Sequence, residues 1–600
     1  MAAAIFYAAC TSSVHNQEDP ASAIVNPDGT VTFNYRNDQA REVMVDVQFA
    51  GRHAMQRDSL TSLWSITLGP AAPDMYPYCF VVDGVSIMDP QCQQWFPNEG
   101  FKNSLLDIPA QSPLIHDIQP VPHGHVEYVT YYSKAIGMYN NALVYTPPTY
   151  TEHSDQAYPV FYLISGTTDT EEVYYKVGRM NYILDNLIAQ GEAREMIIVL
   201  PYGNPFKLTG STDMMGRGDL FSQDLIQDLM PYVESHYRTI ADRDHRAIGG
   251  FSRGGNQGLM NGLMNLDKFS YLCSYSSFTS TTLPKVYDNA DETNQMIHLF
   301  WLGVGTDDFL YGTARDYMEF LDQKGIRAVK EYTTDKFGHT WMNAKYFLDK
   351  TLRLLFKPEA SEAAMANAQP TLAKTGQEQD FTPAVMARLF PKPIVSPEFH
   401  DLSVTFRIKA PDAKQVLLEG EMLDTPKPMQ CDSDGVWSAT LVNLVPDIYC
   451  YNFIVDGLQV ADAQNMYLAP DQGFKRSILE VPGSPYSANN GENIDYSTVS
   501  YRLDNGKSAQ PYAVIIPSQQ SEGELPTLTL VAGPNDTFES WYKIGHANLI
   551  LDQLIAHGEC KPCILYLTQD KPAEGPSLSA ADYPSWSEAR KALVNALKAL

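Results

Sequence analysis

Beyond its first residues, the sequence lacks any apolar run that approaches the roughly 18 residues needed to span a membrane. Its 8 cysteines and 13 histidines are scattered without the spacing of a metal site, so we expect no metal and no other cofactor. Positive charge is also scarce. With 43 basic against 71 acidic residues the net charge is −28, which argues against a nucleic-acid partner.

The one closely spaced cysteine pair, Cys560-Lys-Pro-Cys563, has the spacing of a redox motif. A reactive cysteine of this kind follows a strand and begins a helix, because the helix N-terminus stabilises the thiolate. Here a predicted helix precedes the pair and a predicted strand follows it. We therefore expect ordinary cysteines, or a local disulfide in an oxidising compartment.

A chain of 600 residues, 44% hydrophobic, is too long for one core and predicts two to four domains. Residues 25–115 alternate apolar and polar positions in short runs between turn residues, which is typical of an immunoglobulin-like β-sandwich. In residues 120–357, buried-type strands alternate with amphipathic helices, which predicts an α/β-hydrolase domain with a mostly parallel sheet and helices on both faces. Residues 358–394 are rich in Ala, Glu, Gln and Pro and are predicted to be a linker.

The chain then repeats itself. Val82-Asp83-Gly84 and Gly100-Phe101-Lys102 recur 373 residues later, which predicts a second sandwich over 395–483. Residues 175–191 recur at 542–558, an offset of 367, which predicts a second hydrolase unit over 490–600. The counterpart of position 252 would fall beyond residue 600, so we expect this second unit to be truncated and inactive. Half a sheet would leave an open edge that needs a cover.

The most informative motif is Gly250-x-Ser252-x-Gly254, which follows a short apolar strand and opens a helix-like run. A sharp turn between strand and helix exposes a serine hydroxyl above the sheet, and glycines are needed where side chains would collide with neighbouring elements. Ser252 is therefore the candidate nucleophile.

A serine needs a base to take its proton and an acid to orient that base, in the chain order Ser, Asp or Glu, His. Asp308 lies where a predicted strand ends, and His339 follows the next strand. Asp307 is a weaker alternative for the acid. The oxyanion hole is expected from the backbone amides of Arg253, which follows the nucleophile, and of Thr167, in the loop after the first central strand.

Residues 120–357 strongly resemble the first family of carbohydrate esterases, the feruloyl and acetylxylan esterases related to esterase D. The resemblance implies Ser252 as nucleophile, Asp308 as orienting acid and His339 as general base. Two departures from the family are Ser165-Gly166 where it has His-Gly, and Arg253 where it has Met. An exposed Arg253 would favour an anionic group such as a uronic acid near the acyl site. The matching segments are 121–124, 145–148, 185–191, 242–252, 265–269, 305–308 and 338–341.

The resemblance implies a serine esterase that removes feruloyl or acetyl groups from plant xylan, with arabinoxylan or its oligosaccharides as partner. Tyr174, Tyr175 and Trp341 are candidate walls of an acyl pocket, with core packing as the alternative. Two rival functions stay open. One is a siderophore-type (enterochelin) esterase, and the other is a non-catalytic carbohydrate-binding protein with a degenerate esterase core.

The sandwiches resemble the early-set domains found before such esterases, which are similar to a glycogen-branching type of carbohydrate-binding module. Trp64, Trp95 or Trp437 could face a glycan. Trp64 and Trp437 recur at one offset among alternating apolar neighbours, which favours a core position. We expect the sandwiches to be mainly a structural spacer or lid.

Residues 1–24 read as a signal-like tail. A short apolar segment of small residues ends at Cys10 and resembles the end of a bacterial lipoprotein signal, although no basic segment precedes it. We therefore expect a secreted, periplasmic or cell-surface lipoprotein whose only membrane contact is a lipid on Cys10.

Overall fold

The computed structural model describes residues 20–153, 155–209, 218–334, 338–374, 394–400, 403–503, 511–518, 524–572 and 574–600. The predicted lipid site Cys10 lies outside these ranges. No helix within them is long and apolar enough to cross a membrane.

Two antiparallel sheets form the amino-terminal part, in the orders β1-β2-β6-β5 and β4-β3-β7-β8, with β9 paired to β7. Alternate residues such as Phe33, Val45 and Phe80 are buried, because successive side chains of a strand point to opposite faces. The strands are β1 Ala23–Val25, β2 Val31–Arg36, β3 Val43–Val47, β4 Gly51–Ala54, β5 Gln56–Arg57, β6 Leu63–Leu68, β7 Asp74–Val82, β8 Val85–Ile87 and β9 Ser104–Ile108.

An eight-stranded segment of sheet follows, in the order β17-β16-β15-β14-β12-β13-β11-β10. Strands β12 to β17 run parallel, and β10 and β11 run antiparallel at one side. Every residue of β12, β13, β15 and β16 is buried, as expected for parallel strands covered on both faces. The strands are β10 His125–Ser133, β11 Met138–Thr146, β12 Val160–Ile164, β13 Ile197–Pro201, β14 Arg246–Phe251, β15 Tyr271–Tyr275, β16 Leu299–Gly305 and β17 Val329–Thr333.

Most helices of this segment connect its parallel strands, and α10 and α11 follow β17, which confirms the predicted α/β domain with a mostly parallel sheet. A π-helical stretch, Asp224–Leu229, joins α4 to α5. The helices are α1 Val173–Lys176, α2 Met180–Ala189, α3 Pro205–Leu208, α4 Gly218–Gln223, α5 Met230–His236, α6 Arg253–Met264, α7 Pro284–Tyr287, α8 Ala290–Met296, α9 Tyr311–Lys324, α10 Trp341–Leu352 and α11 Pro358–Ala366.

Helix α11 corrects the predicted linker, which was expected to begin at residue 358. Ser361 and Met365 of this helix are buried, and the Met365 sulfur accepts a hydrogen bond from the backbone N–H of Phe300 in β16. The Ala- and Glu-rich composition that suggested a linker also suits a helix. The described part of the linker is therefore partly packed onto the sheet.

A second pair of antiparallel sheets follows, in the orders β18-β19-β23-β22 and β21-β20-β24-β25, with β26 paired to β24. The indole N–H of Trp437 donates to the backbone oxygen of Ala410, as that of Trp64 donates to Asn37, at the same offset. The strands are β18 Glu398–His400, β19 Ser403–Lys409, β20 Val416–Gly420, β21 Lys427–Pro428, β22 Gln430–Cys431, β23 Val436–Val442, β24 Ile448–Val455, β25 Leu458–Val460 and β26 Ser477–Glu480.

The last segment extends the central sheet. Strand β27 pairs antiparallel with β10, and the order continues β27-β28-β30-β29-β31, giving one 13-stranded sheet. This pairing covers the β27 side of the segment, whereas the edge that the predicted truncation would leave open lies beside β31, the last strand of the order within the described residues. The elements are β27 Val499–Leu503, β28 Pro511–Ile515, β29 Thr527–Val531, β30 Ile564–Thr568, β31 Ser577–Ser579, α12 Ser540–Lys543, α13 Ala547–Ala556 and α14 Trp586–Ala599.

Candidate active site

Ser252 occupies a strained turn between β14 and α6. Its backbone angles are φ 56° and ψ −120°, outside the regions that ordinary residues prefer. The flanking glycines allow this turn to press against β12. A Cβ on Gly250 or Gly254 would lie 2.2 or 2.1 Å from the backbone oxygen of Ile164. The sequence therefore builds a tight elbow that points the Ser252 hydroxyl away from the sheet.

The structure brings the three predicted polar side chains into one chain of contacts. The Ser252 Oγ lies 2.9 Å from His339 Nε2, and His339 Nδ1 lies 2.9 and 3.0 Å from the two carboxylate oxygens of Asp308. Asp308 follows β16 and His339 follows β17, so both lie at the carboxyl edge of the parallel strands. The arrangement can pass a proton from hydroxyl to imidazole while the carboxylate fixes the ring.

Asp308, rather than its neighbour, is the carboxylate in contact with the histidine. The Asp308 side chain is fully buried, and its Oδ1 also accepts a 2.8 Å hydrogen bond from the backbone N–H of Leu310. Asp307 is exposed. The rings of Phe251 and Phe309 lie 4.7 and 4.5 Å from the His339 ring. Sequence reasoning did not identify these two flanking rings, because a phenylalanine beside a motif has no distinguishing pattern.

The loop after β12, residues 165–170, lies beside the elbow, as predicted for an oxyanion loop. Its shape is fixed by Asp169, whose carboxylate accepts a 3.1 Å hydrogen bond from the backbone N–H of Gly166. Thr168 adopts a positive φ of 64°. Burial raises the pKa of Asp169 to about 7. Thr167 lies between these constrained residues, so the position of its amide depends on the loop as a whole.

The Arg253 side chain does not project from the site as the sequence suggested. Its Nη2 donates a 2.8 Å hydrogen bond to the backbone oxygen of Gly166, so the guanidinium joins the elbow to the loop. The side chain is partly buried, and its Nε and Nη1 have no hydrogen-bond partner within the described residues. The prediction that Arg253 is exposed beside the acyl site is therefore wrong, because its side chain folds back onto the backbone of Gly166.

A loop of the first two-sheet unit, residues 97–102, holds the oxyanion loop from outside. The backbone N–H of Glu99 donates to Thr168 O at 2.7 Å, and the Asn98 amide donates to the Asp169 carboxylate at 3.2 Å. The Glu99 carboxylate also accepts hydrogen bonds from the Tyr202 hydroxyl at 2.6 Å and the Asn204 amide at 2.7 Å. Sequence reasoning missed this contact, which no motif signals.

The three aromatic residues predicted to wall an acyl pocket are mainly packing residues. Tyr174 is fully buried and meets the Trp341 ring edge-on, with centroids 4.7 Å apart. Trp341 is 8% exposed and also contacts Phe251 at 5.3 Å. Tyr175 faces Tyr501 of β27 at 6.2 Å instead of the site. The alternative of core packing therefore describes them better, because amphipathic helix α1 turns its rings towards neighbouring elements.

The cysteine pair, Trp64 and Trp437 take no part in the contacts of this site described above. Cys560 and Cys563 are both free thiols, and burial raises their pKa values to about 11 and about 12, which opposes a reactive thiolate. Trp64 is buried, in line with the predicted core position. No group of three or more potential metal ligands occurs in the described ranges.

Residues 133–341 match the model of the esterase family, described as "Putative esterase". An endo-1,4-β-xylanase/feruloyl esterase of Xylanibacter ruminicola is 27% identical over 350 residues, 57% of this chain. The chain spans about half, 47%, of that relative's length.

Two solved structures are among those to which the chain is similar. The ferulic acid esterase of the anaerobic fungus Anaeromyces mucronatus is 24% identical, with a TM-score of 0.36, over 41% of this chain and 97% of its own. The enterobactin esterase of Shigella flexneri is 18% identical, with a TM-score of 0.43, over 55% of this chain and 94% of its own.

Proposed function

Because residues 133–341 match the esterase family, we propose that the chain is a serine carboxylester hydrolase whose catalytic residues are Ser252, His339 and Asp308. One observation carries this proposal. The Ser252 hydroxyl, on a strained elbow, contacts an imidazole whose other nitrogen contacts a buried carboxylate. This order of contacts is what a hydroxyl needs to become a nucleophile near neutral pH.

In the proposed reaction, His339 Nε2 takes the Ser252 proton as Oγ attacks the ester carbonyl carbon. The carbonyl π electrons move to oxygen, and Asp308 stabilises the imidazolium that forms. His339 then gives its proton to the departing alcohol oxygen as the ester C–O bond breaks, which leaves an acyl group on Ser252. Water, deprotonated by His339, attacks this acyl-enzyme and releases the acid and the free serine.

The oxyanion would be stabilised by the backbone N–H groups of Arg253 and Thr167. Two observations support this assignment. Arg253 is the first residue of α6, and its side chain donates a hydrogen bond to the loop that carries Thr167. Main-chain donors survive the two departures from the family pattern, Ser165-Gly166 and Arg253, since neither change removes a backbone N–H.

For the substrate, we propose feruloyl or acetyl esters on plant xylan. The name of the Xylanibacter relative, which joins xylanase and feruloyl esterase activities, supports this choice.

Xylan lies outside the cell, so we also propose a secreted or surface-bound protein. Growth in labelled palmitate would test lipidation, with Cys10→Ala as the control.

We further propose that residues 25–115 and 395–483 are immunoglobulin-like sandwiches. The contacts of Glu99 with the esterase domain argue that the first sandwich is more than a spacer.

Hydrolysis of 4-nitrophenyl acetate by the wild-type chain and by Ser252→Ala tests the reaction. We expect the variant to lose roughly 10⁴- to 10⁶-fold in kcat. Equal slow rates for both proteins would contradict catalysis and favour a binding protein. Comparing acetate and ferulate release from one arabinoxylan preparation with cleavage of a catecholate ester then identifies the substrate. Preference for the catecholate would favour the siderophore-type reaction.

A further inference from the structure

Four charged side chains form a closed ring between the catalytic part (residues 120–357) and the carboxyl-terminal part (residues 499–600). They lie at helix α1 of the first part and helix α12 of the second, and are Glu172, Lys176, Glu539 and Lys543. Lys543 Nζ lies 2.6 Å from Glu172 and 3.4 Å from Glu539. Lys176 Nζ lies 3.2 Å from Glu539 and 3.7 Å from Glu172. Each lysine thus contacts both glutamates. The four side chains are only 10–16% exposed, so solvent screens these contacts much less than surface ion pairs.

The ring is symmetric in sequence. Glu172 and Lys176 lie 367 residues before Glu539 and Lys543, the offset of the predicted repeat. Beside the ring, β10 pairs with β27 through the register Val126↔Tyr501 to Tyr128↔Val499. Charge and main-chain pairing therefore join the two parts at the same place. Aromatic rings fill the space between them, namely Tyr128, Tyr175, Tyr501, Phe538 and Tyr542.

The carboxyl-terminal part repeats the packing around α10. Trp586 meets Trp541 edge-on at 5.2 Å, as Trp341 meets Tyr174 at the matching positions. Arg590 contacts Asp447 as Lys345 contacts Asp74, again at matching positions. Helix α14 thus stands where α10 stands in the catalytic part.

The catalytic groups are not repeated with this packing. Strand β31 runs parallel beside β29 as β14 does beside β12, but in this register Ala581 stands at the position of Ser252. Two residues before Trp586 is Pro584, whereas His339 precedes Trp341 by two. In its described residues, the carboxyl-terminal part therefore keeps the scaffold of a hydrolase without its serine and histidine. The predicted truncation is better described as a shortened copy that keeps the counterpart of α10.

The ring is directly connected to the candidate oxyanion loop. Glu172 follows residues 165–170 by two positions and directly precedes α1. This helix carries Tyr174, which packs on Trp341, two residues after His339. Helix α1 has only four residues, too few to be stable without tertiary contacts. Any shift of α1 is therefore transmitted both to the loop and to the start of α10.

We propose that the carboxyl-terminal part, through Glu539 and Lys543, is a built-in partner that positions the oxyanion loop of the esterase site. These two are positioning residues, since they contact the charged ring and, in the case of Lys543, the aromatic rings of Trp95 and Tyr128, but not the reacting atoms. The kinetic part of the proposal rests on the proposed esterase function, whereas its structural part does not.

The test exchanges the charges of the ring one pair at a time, in the full-length chain. In E539K/K543E every contact between the two parts becomes like-charged, while the pair within α12 keeps opposite charges. The same holds for E172K/K176E in α1. Combining all four substitutions restores every attractive contact. The matched control is E588K/K591E, which reverses an exposed pair, 2.8 Å apart, in α14.

We expect E539K/K543E to lower kcat for 4-nitrophenyl acetate by about 10- to 100-fold with a smaller change in KM, which is part of what loss of an oxyanion donor costs. Hydrogen exchange of residues 166–176 should accelerate by about tenfold. The quadruple variant should recover both, and the control should match wild type. If E539K/K543E does not fold, Lys543→Met, which removes one charge at similar volume, serves instead, with smaller changes in the same direction.

Unchanged exchange and unchanged kcat in a folded E539K/K543E would overturn the proposal. A lower melting temperature with unchanged kcat and exchange would also overturn it, since the ring would then only hold the chain together. An inactive wild type would remove the proposed esterase function but leave the exchange experiment decisive for the positioning role.

Discussion

Ser252 concentrates the strain of the site into a single residue. Its φ of 56° is tolerated because the glycines at 250 and 254 let the chain pass within contact of β12. The hydroxyl gains its nucleophilic role only through the contact with His339, and His339 is oriented only by Asp308. The chemistry therefore depends on one carboxylate that is fully buried.

Replacing that carboxylate with an amide isolates its role. Asp308→Asn keeps the shape of the side chain but removes the charge that stabilises the imidazolium and fixes the tautomer of His339. We expect kcat to fall by about 10⁴-fold with little change in KM. Steady-state hydrolysis of 4-nitrophenyl acetate measures this. Asp307→Asn, one residue away and exposed, should stay within a factor of two or three; equal losses in both variants would refute the assignment.

Asp169 makes stability depend on pH. Burial raises its pKa from 3.8 to about 7 in the folded chain, so the folded state holds this proton more tightly than the unfolded state. Its contribution to stability is therefore fully present below about pH 4 and is lost as the pH rises to about 7. We expect the melting temperature of wild type, relative to Asp169→Asn, to fall between pH 4 and 7 and to level off above. A constant difference across this range would show that Asp169 stays ionised.

At the residue scale, the sequence was sufficient to predict which side chains meet, because the elbow motif and the strand ends place serine, aspartate and histidine at one edge of a parallel sheet. It was not sufficient for Arg253 or Tyr174. Whether an arginine extends into solvent or folds onto Gly166 depends on the neighbouring backbone, which no local pattern encodes. An aromatic residue on an amphipathic helix likewise has the same pattern whether it packs or binds.

Among the elements, α10 has a special position because it begins two residues after the histidine. Thr340 caps this helix, and its side-chain oxygen accepts a hydrogen bond from the backbone N–H of Asn343. Ser585 caps α14 in the same way, through Glu588. The two caps have similar stabilising roles, but only the first adjoins the catalytic contact. They therefore form a natural pair for comparison.

Thr340→Ala should lower the free energy of unfolding by about 1 kcal/mol, and Ser585→Ala by a similar amount. Only Thr340→Ala should also lower kcat, because fraying of the first turn of α10 displaces His339. Thermal unfolding and the ester assay on both variants measure the two effects. Thr340→Ser, which keeps the capping oxygen, should restore both values; loss of kcat in Ser585→Ala alone would contradict this role of the cap.

Helices and strands could be predicted where their burial produces a regular pattern of hydrophobic residues in the sequence. The alternation of buried-type strands with helices over 120–357 was predicted, and every residue of β12 is indeed buried. Helix α11 was missed, since an Ala- and Glu-rich segment satisfies both a linker and a helix, and only the packing of Met365 decides between them. The pairing of β10 with β27 was beyond prediction because any unpaired strand edge can accept another.

For the whole molecule, repeats were visible in the sequence but their contacts were not. Besides the ion pairs Asp74–Lys345 and Asp447–Arg590, one loop of each two-sheet unit touches its neighbouring hydrolase part. Glu99 N donates to Thr168 O in the first, and Gln472 N donates to Asn535 O in the second, at the two repeat offsets. The first unit therefore contacts the candidate oxyanion loop directly, so its predicted role as a spacer or lid can be tested at this loop.

Glu99 is the residue through which this contribution can be measured. Its buried carboxylate accepts hydrogen bonds from Tyr202 and Asn204, which follow β13 at the active edge of the sheet. In Glu99→Ala both donors lose their partner, and the loop that holds Thr168 loosens. We expect the free energy of unfolding to fall by about 2–3 kcal/mol and kcat by about tenfold.

The matched control for Glu99→Ala is Gln472→Ala, the same position in the second unit. Within the described residues its side chain bonds only the backbone oxygen of Asp536, at 3.1 Å, so its loss should leave kcat unchanged. Glu99→Gln, which still accepts hydrogen bonds, should fall between wild type and Glu99→Ala. Ester hydrolysis and thermal unfolding of the three variants decide the question. If a folded Glu99→Ala variant keeps the wild-type kcat, the oxyanion loop holds its shape without the Glu99 carboxylate. The first two-sheet unit would then be only a spacer.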